Sequence, residues 1–293
     1  MYDKITDYPG KAARFEHGFL YEKNGETGLY KARALLLPGL SHGFSTREGG
    51  MSEGPFASLN LHWDKDGCEP DVLENYSRFA RGAGLCYEDM AIVNHEHGAT
   101  VLRLDASHRG RGFDKPPLPF CDGIITNDPA VALVTSHADC GAFFMYDPVS
   151  RSIGMAHAGW KGTLAQIGLT MAQAMTREFG ADPANVMAAA GHCICPRCFE
   201  VDESLADEFA QVFADPAVKL VGRPGLDRSG LDRSGKAHVD LPRCAAIQFM
   251  RAGILPEHIT LMDACTYEDT AHFFSHRRDR GVTGSMAAFI QLR

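Results

Sequence analysis

Between Gly123 and Ala156 the chain carries four short β-rich runs: Gly123-Ile-Ile-Thr126, Val131-Ala-Leu-Val-Thr135, Ala142-Phe-Phe-Met-Tyr146 and Ser152-Ile-Gly-Met-Ala156. Turn-forming Asn127-Asp-Pro129 and Asp147-Pro148 separate two pairs of them. The second and third runs are parted instead by Ser136-His-Ala-Asp-Cys-Gly141, a polar interruption that a pair of core strands does not need. A chain with this centre folds around β-structure and carries something special at one strand junction.

The flanks supply the other elements. Ala32 to Ser45 reads as two short strands about the Pro38-Gly39 turn, and the Gly- and Pro-rich loop Thr46 to Phe56 offers turn chemistry with room for a ligand to approach backbone. Val72, Tyr76, Phe79 and Ala80 predict a helix over 70–83, and short strands follow near 91–93 and 100–104. After Trp160 a single long helix is expected through Phe179, stopped by Gly180. Further strands are expected at 186–190, 259–262 and 286–291, with helices over 203–213 and 242–252. Leu226-Asp-Arg-Ser-Gly230 is repeated at once as Leu231-Asp-Arg-Ser-Gly235, placing a flexible insertion at about 222–236, too short to stack as a repeat unit. Strands and helices alternate without a clean boundary, so residues 1–293 are expected to form one α/β domain.

Composition narrows the function. The 29 Lys and Arg stand against 37 Asp and Glu, a formal charge of −8, which argues against a nucleic-acid surface. No apolar run approaches the roughly 18 residues of a membrane span, and the first residues lack a secretory pattern, so the cytoplasm is the expected compartment. In such a chain nine cysteines point to reduced thiols or metal ligands, not disulfides. Thirteen histidines add a second ligand type that also carries protons near neutral pH.

Three strand ends concentrate those residues. His95-Glu96-His97 puts two imidazoles on one face of an extended segment; Ser136 to Gly141 carries His137 and Cys140; Ala156-His-Ala-Gly-Trp-Lys-Gly162 ends a strand in a histidine before a close turn. Each has a plain structural alternative, a buried thiol or a histidine satisfied in the core. One His, one Cys and a further His from separate strand ends would make a three-ligand zinc site with an open position, the catalytic arrangement. The competing candidate is Cys193-Ile-Cys195-Pro-Arg-Cys198, able to hold zinc or an iron–sulfur centre, or to act as a Cys195–Cys198 redox pair; a closed site would need a fourth ligand that the sequence does not place nearby.

The residues also match a family in order from about 40 to the C-terminus. Arg47 to Leu61, His97-Gly98, Asp122-Gly-Ile-Ile-Thr126, Ala138-Asp-Cys140, Ala156 to Gly162, Gly191-His-Cys-Ile194 with Phe199-Glu-Val201, and Phe273-Phe-Ser-His-Arg-Arg-Asp279 closely resemble the laccase-domain family, also called the YfiH or multicopper polyphenol oxidoreductase family. The resemblance implies a single-domain layered sandwich of mixed sheets flanked by helices, similar to the cytotoxic necrotizing factor catalytic domain. It implies zinc held by His97, Cys140 and His157, the same three residues being catalytic. It implies purine nucleoside phosphorylase activity on adenosine, inosine and 5′-methylthioadenosine, with adenosine deaminase activity alongside.

Four positions depart from the family pattern: His95 replaces a glutamine, Lys161 an arginine, His192 a proline and Ser285 an arginine. Arg47 and Lys161 are the expected phosphate contacts and Asn60 the expected ribose or base contact, the partners being a small nucleoside and phosphate. Should the metal be absent or exchangeable, Cys140 becomes a candidate nucleophile with His157 or His137 as base. Three alternatives remain at this stage. One is amide hydrolysis of a cell-wall precursor, because family members include a peptidoglycan editing factor, PgeF. Another is copper-dependent phenol oxidation, disfavoured because His95-Glu-His97 is the chain's one H-x-H pair. The third is a non-enzymatic metal-binding protein.

Overall fold

A computed structural model describes residues 5–8, 11–13, 16–63, 69–220 and 235–293. The four central runs become the strands Gly123–Thr126, Ala132–His137, Gly141–Asp147 and Ser152–Ala158, but they divide between two sheets. A seven-stranded mixed sheet runs in the order Glu16–His17, Ile259–Leu261, Met187–Ala190, Gly141–Asp147, Ser152–Ala158, Gly123–Thr126, Val101–Arg103. A six-stranded mixed sheet runs Phe19–Asn24, Thr27–Ala32, Leu40–Ser45, Met286–Leu292, Ala132–His137, Met90–Ile92. The polar interruption Ala138-Asp-Cys140 is therefore where the chain crosses from one sheet to the other.

Side-chain alternation shows the layering. Along Gly141–Asp147 every residue is buried; Ala142, Phe144 and Tyr146 join a core with Phe44, Leu133 and Ile290 of the facing sheet. Phe143 and Met145 point the other way, onto Met171, Met175 and Phe249 of the helices Ile167–Phe179 and Leu241–Arg251. On the far side of the six-stranded sheet, Val134 and Phe289 pack against Val72, Tyr76 and Phe79 of the helix Glu69–Ala83. The result is a four-layer sandwich, helix, sheet, sheet, helices, and the two inner sheets carry continuous apolar strands because both their faces are covered.

Two expectations are corrected. The helix expected from Trp160 to Phe179 is two, Trp160–Leu164 and Ile167–Phe179, because Gln166 adopts a left-handed conformation (φ 58°) and starts the second. Its side chain accepts from Arg251 Nη1 at 2.8 Å, while Gly168 N donates to Gln248 Oε1 at 2.9 Å, so contacts with the last helix fix the break. The first strand expected near Ala32 lies earlier, as Thr27–Ala32 in a hairpin with Phe19–Asn24, and Arg33–Leu35 forms a short 3-10 turn. Except for its last two positions, where Lys236 opens the strand Lys236–Val239, the insertion expected at about 222–236 lies outside the described residues.

Candidate active site

The antiparallel register brings the two histidine- and cysteine-bearing strand ends together. Gly141 pairs with Ala158 and Ala142 with His157, so Cys140 and Gly159, one residue beyond, meet at the same edge. Asp122, just before the strand Gly123–Thr126, accepts from His157 Nδ1 at 2.8 Å through Oδ1. Its other oxygen accepts from Gly98 N at 2.7 Å and Glu96 N at 3.2 Å, which fastens the His95–Gly98 segment over the same edge.

Gly159 locates the meeting point. A side-chain carbon there would stand 3.3 Å from His157 Cε1, 3.4 Å from Cys140 Sγ and 3.4 Å from His97 Cδ2. His97, Cys140 and His157 therefore surround one small space that glycine leaves open, and the His97 and His157 ring centres are 5.1 Å apart. His97 holds φ 62° and Asp139, beside Cys140, φ 82°, so left-handed backbone flanks the space on two sides. Asp139 is kept there by Thr266 Oγ1 at 2.6 Å, Ser275 Oγ at 2.9 Å and the backbone N of Arg277 at 2.7 Å.

Protonation follows from burial. His157 is 4% exposed, and burial followed by the neighbouring His95 lowers its pKa to about 3 despite Asp122. Burial also lowers His97, and more strongly His137. Burial raises the Asp122 pKa, but hydrogen bonding with His157, the nearby His95 and the Gly98 N–H outweigh it and hold the carboxyl well below the usual carboxylate range. A neutral His157 donating from Nδ1 to a carboxylate places its lone pair on Nε2, the arrangement in which a metal-ligating histidine is oriented by its carboxylate.

At this edge, the described residues whose ligand atoms lie within 4.8 Å of one another form a different triple, His95, Asp122 and His157. The 2.8 Å His157–Asp122 contact is a hydrogen bond that uses up both atoms, and His95 Nε2 lies 3.1 Å from Ser136 Oγ. His137 has both ring nitrogens engaged, with Thr135 Oγ1 at 2.6 Å and the Cys140 carbonyl at 3.2 Å. His97, Cys140 and His157 are the three side chains that border the space at Gly159, with Asp122 behind His157.

These residues open on a cleft of about 490 Å³. Its walls are divided: His62, His95, Ser136, His276, Arg277 and Ser285 on polar sides, Trp160, Ile194, Phe199 and Leu241 on apolar ones. Sequence reasoning assigned no role to His62, Asp122, His276 or Arg277, although Asp122, His276 and Arg277 stand inside the quoted motifs; an isolated acid opening an apolar strand was the available signal for Asp122.

The expected substrate contacts are placed differently. Arg47 is half-buried, with Nε and Nη2 donating to the Ala57 carbonyl at 2.8 and 2.5 Å and the guanidinium 4.4 Å from the Phe274 ring centre, and it does not line the cleft. Asn60 is wholly buried and accepts through Oδ1 from Ser285 N at 3.0 Å and His62 N at 3.2 Å, so it braces two lining residues. Lys161 is exposed beside Trp160, its charge among the influences that lower His97. In the glycine loop a side chain at Gly50 would overlap the Ser58 carbonyl; the room expected for a ligand is filled by the chain itself. Of the four departures from the family pattern, His95 and Ser285 line the cleft, while His192 is buried against Phe19, Tyr30 and Phe273.

The profile of the family described as multi-copper polyphenol oxidoreductase laccase matches residues 41–293. The chain is 34% identical over 258 residues to the purine nucleoside phosphorylase YlmD of Bacillus subtilis, covering 86% of this chain and 88% of that protein. It is 36% identical over 264 residues to a purine nucleoside phosphorylase of Deinococcus radiodurans, covering 90% and 92%. The crystal structure of YlmD from Geobacillus stearothermophilus superposes with a TM-score of 0.84 at 31% identity, over 94% of this chain and all of that one. No helix among the described residues is long and apolar enough to cross a membrane.

Proposed function

This chain belongs to the multi-copper polyphenol oxidoreductase laccase family, and from that premise we propose that it is a purine nucleoside phosphorylase using His97, Cys140 and His157 as ligands of one zinc ion. The observation that carries the reading is the convergence of those three side chains on the space left by Gly159, with Asp122 orienting His157 from behind. Two neutral imidazoles and a thiolate suit zinc, and a single small space suits one ion, not a multicopper array.

When bound, zinc supplies Lewis-acid polarisation of a substrate oxygen. The chain's own residues do the rest. Trp160 and Phe199 offer aromatic faces for the purine, and Arg277, held near Phe199 and through Nη1 on the Glu200 carbonyl at 2.8 Å, faces the cleft as the phosphate contact, with Lys161 beside Trp160 as a second cation. Phosphate attacks the anomeric carbon, the bond from that carbon to the base nitrogen breaks, and the base leaves with the bonding pair and takes up a proton. His62 and His276 line the cleft as the groups that exchange that proton. Adenosine, inosine and 5′-methylthioadenosine are the substrates to test, and adenosine deamination at the same site is the second activity, with water as the attacking group.

The test is incubation of the protein with each nucleoside, with and without phosphate, following free base, inosine and sugar 1-phosphate. Phosphate-dependent sugar 1-phosphate is expected from the wild type and none from Cys140→Ala. A Cys140→Ala protein with wild-type turnover removes this site, and cleavage of a muropeptide amide without nucleoside turnover replaces the reading with cell-wall editing.

A further inference from the structure

Behind the cleft, the fold completes a ligand set that the sequence leaves open. Cys195, Cys198, Cys265 and Glu268 offer ligand atoms that all lie within 4.8 Å of one another. We propose that these four residues bind a zinc ion of their own, a second metal position that clamps together the two loops backing the cleft.

The donor chemistry and spacing suit that ion. Zinc bonded to sulfur at about 2.3 Å in a tetrahedron sets its sulfurs roughly 3.8 Å apart, within reach of the observed span. Cys195-Pro-Arg-Cys198 has the two-residue gap of structural zinc sites, and its turn is formed: the Cys198 and Phe199 N–H groups both donate to the Cys195 carbonyl at 2.9 Å. The remaining ligands come from the segment after the strand Ile259–Leu261, which is tied alongside by a parallel bridge between Cys193 and Cys265 and by Thr266 N donating to the Cys193 carbonyl at 3.2 Å. Asp269 N donates to the Cys265 carbonyl at 3.0 Å, a turn that brings Glu268 round to the sulfurs.

The surroundings match a charged centre. Cys195 N–H donates to Cys265 Sγ at 3.2 Å, the support a ligating sulfur receives from backbone. Arg197 donates to Glu268 Oε2 at 2.7 Å, fixing the carboxylate and offsetting charge: three thiolates and a carboxylate around a divalent ion carry −2, and Arg197 brings the group to −1. Binding releases the three thiol protons to solvent. Cys193 is excluded from the set, because its sulfur lies 3.2 Å from Met262 Sδ, on another side of the loop.

The clamp has a consequence for the cleft. Ile194 lines the cleft and its N–H donates to the Asp139 carbonyl at 3.0 Å, while Thr266 and Ser275 hold the Asp139 side chain. Both clamped loops thus grip the residue before Cys140, and zinc here fixes the backbone on which that cysteine is presented.

The experiment uses the full chain in the Cys140→Ala background, so that failure of the histidine site and failure of the clamp are read separately. Metal analysis is expected to find about one equivalent of zinc in Cys140→Ala, and cobalt(II) substitution to give strong thiolate-to-metal charge-transfer absorption. The Cys140→Ala/Cys198→Ser protein is expected to lose both. Glu268→Gln, at an exposed position that does not threaten folding, is expected to weaken zinc at least about tenfold in competition with a chromophoric chelator and to keep the charge-transfer band. The proposal is overturned if Cys140→Ala binds no zinc, if zinc survives Cys198→Ser, or if Glu268→Gln leaves affinity unchanged. It is also overturned if intact mass shows a two-hydrogen deficit mapping to a Cys195–Cys198 disulfide in freshly purified protein, which establishes a redox pair instead.

Discussion

Two regions of this molecule use the same kind of ligands in opposite ways. At the cleft, His157 near the end of a strand, Cys140 just before one and His97 in a bend fastened to the sheet edge through Asp122 face an open volume, with a glycine holding space free. Behind it, Cys195, Cys198 and Cys265 come from two loops that close on one another, with Arg197 and Glu268 completing the set. Rigid strands present groups at a fixed separation and leave room between them; loops need a cross-link to stay together. The first arrangement suits chemistry and the second suits holding, and Asp139 is the residue through which one leans on the other.

Breaking that connection should have the largest effect. Asp139→Asn keeps a residue type tolerant of the left-handed conformation but turns an amide toward donors now bonded to a carboxylate. Stability should fall by about 2–3 kcal/mol in denaturant titrations, together with nucleoside turnover. Turnover that falls with chelator resistance of the cysteine cluster unchanged would show the regions to be independent. Next, Asp122→Asn should lower activity or metal affinity on the order of 10- to 100-fold by releasing the His157 tautomer, with the cysteine cluster unaffected. Gly159→Ala is milder, because each of the three contacts at 3.3–3.4 Å must yield a few tenths of an ångström; about a tenfold loss in kcat at an unchanged melting temperature is expected. A Gly159→Ala protein with full activity would mean that the three ligands need not approach one another.

The two regions were unequally legible. The central strands stood out because strands covered on both faces read as apolar runs closed by Asn-Asp-Pro and Asp-Pro turns, and the His157 and Cys140 strand ends stood out as polar residues where none was needed. The hairpin Phe19–Ala32 is harder to read because its outer strand, Phe-Leu-Tyr-Glu-Lys-Asn, does not alternate apolar with polar, although Gly25-Glu26, with Gly25 at φ 65°, makes its two-residue turn. The break at Gln166 carries no proline or glycine, since contacts with Arg251 and Gln248 decide it. Cys265 and Glu268 could not be assigned to Cys195 and Cys198 at all: only the parallel neighbourhood of the strands Met187–Ala190 and Ile259–Leu261 delivers them. Arg47 and Asn60 show the reverse case, polar residues of a motif whose hydrogen bonds brace a loop and which are not among the residues lining the cleft.

The smallest effect on activity should come from His42, a buried histidine that belongs neither to the cleft lining nor to the cysteine cluster, and it tests whether buried histidines outside the cleft share in acid lability. His42 is 2% exposed in the strand Leu40–Ser45, its ring edge-on to Phe144, and burial lowers its pKa to about 4 against the Ala32 backbone hydrogen bond. The unfolded chain binds a proton there at a higher pH than the folded one does. The neutral ring therefore adds stability above the ordinary histidine value of about 6.5, lost as the pH falls toward 4, on the order of 3 kcal/mol in all. His157 adds a contribution of the same sign, lost as the pH falls toward 3. His42→Phe keeps a ring of similar shape against Phe144 and has nothing to protonate. Its unfolding free energy should decline less steeply between pH 6.5 and 4 than that of the wild type, at unchanged turnover near neutrality. An identical decline in both proteins would move the acid response to the other histidines whose pKa burial lowers, His137 and His157 beside the cleft and His192 behind it, and protonation of His157 also removes the lone pair that it presents.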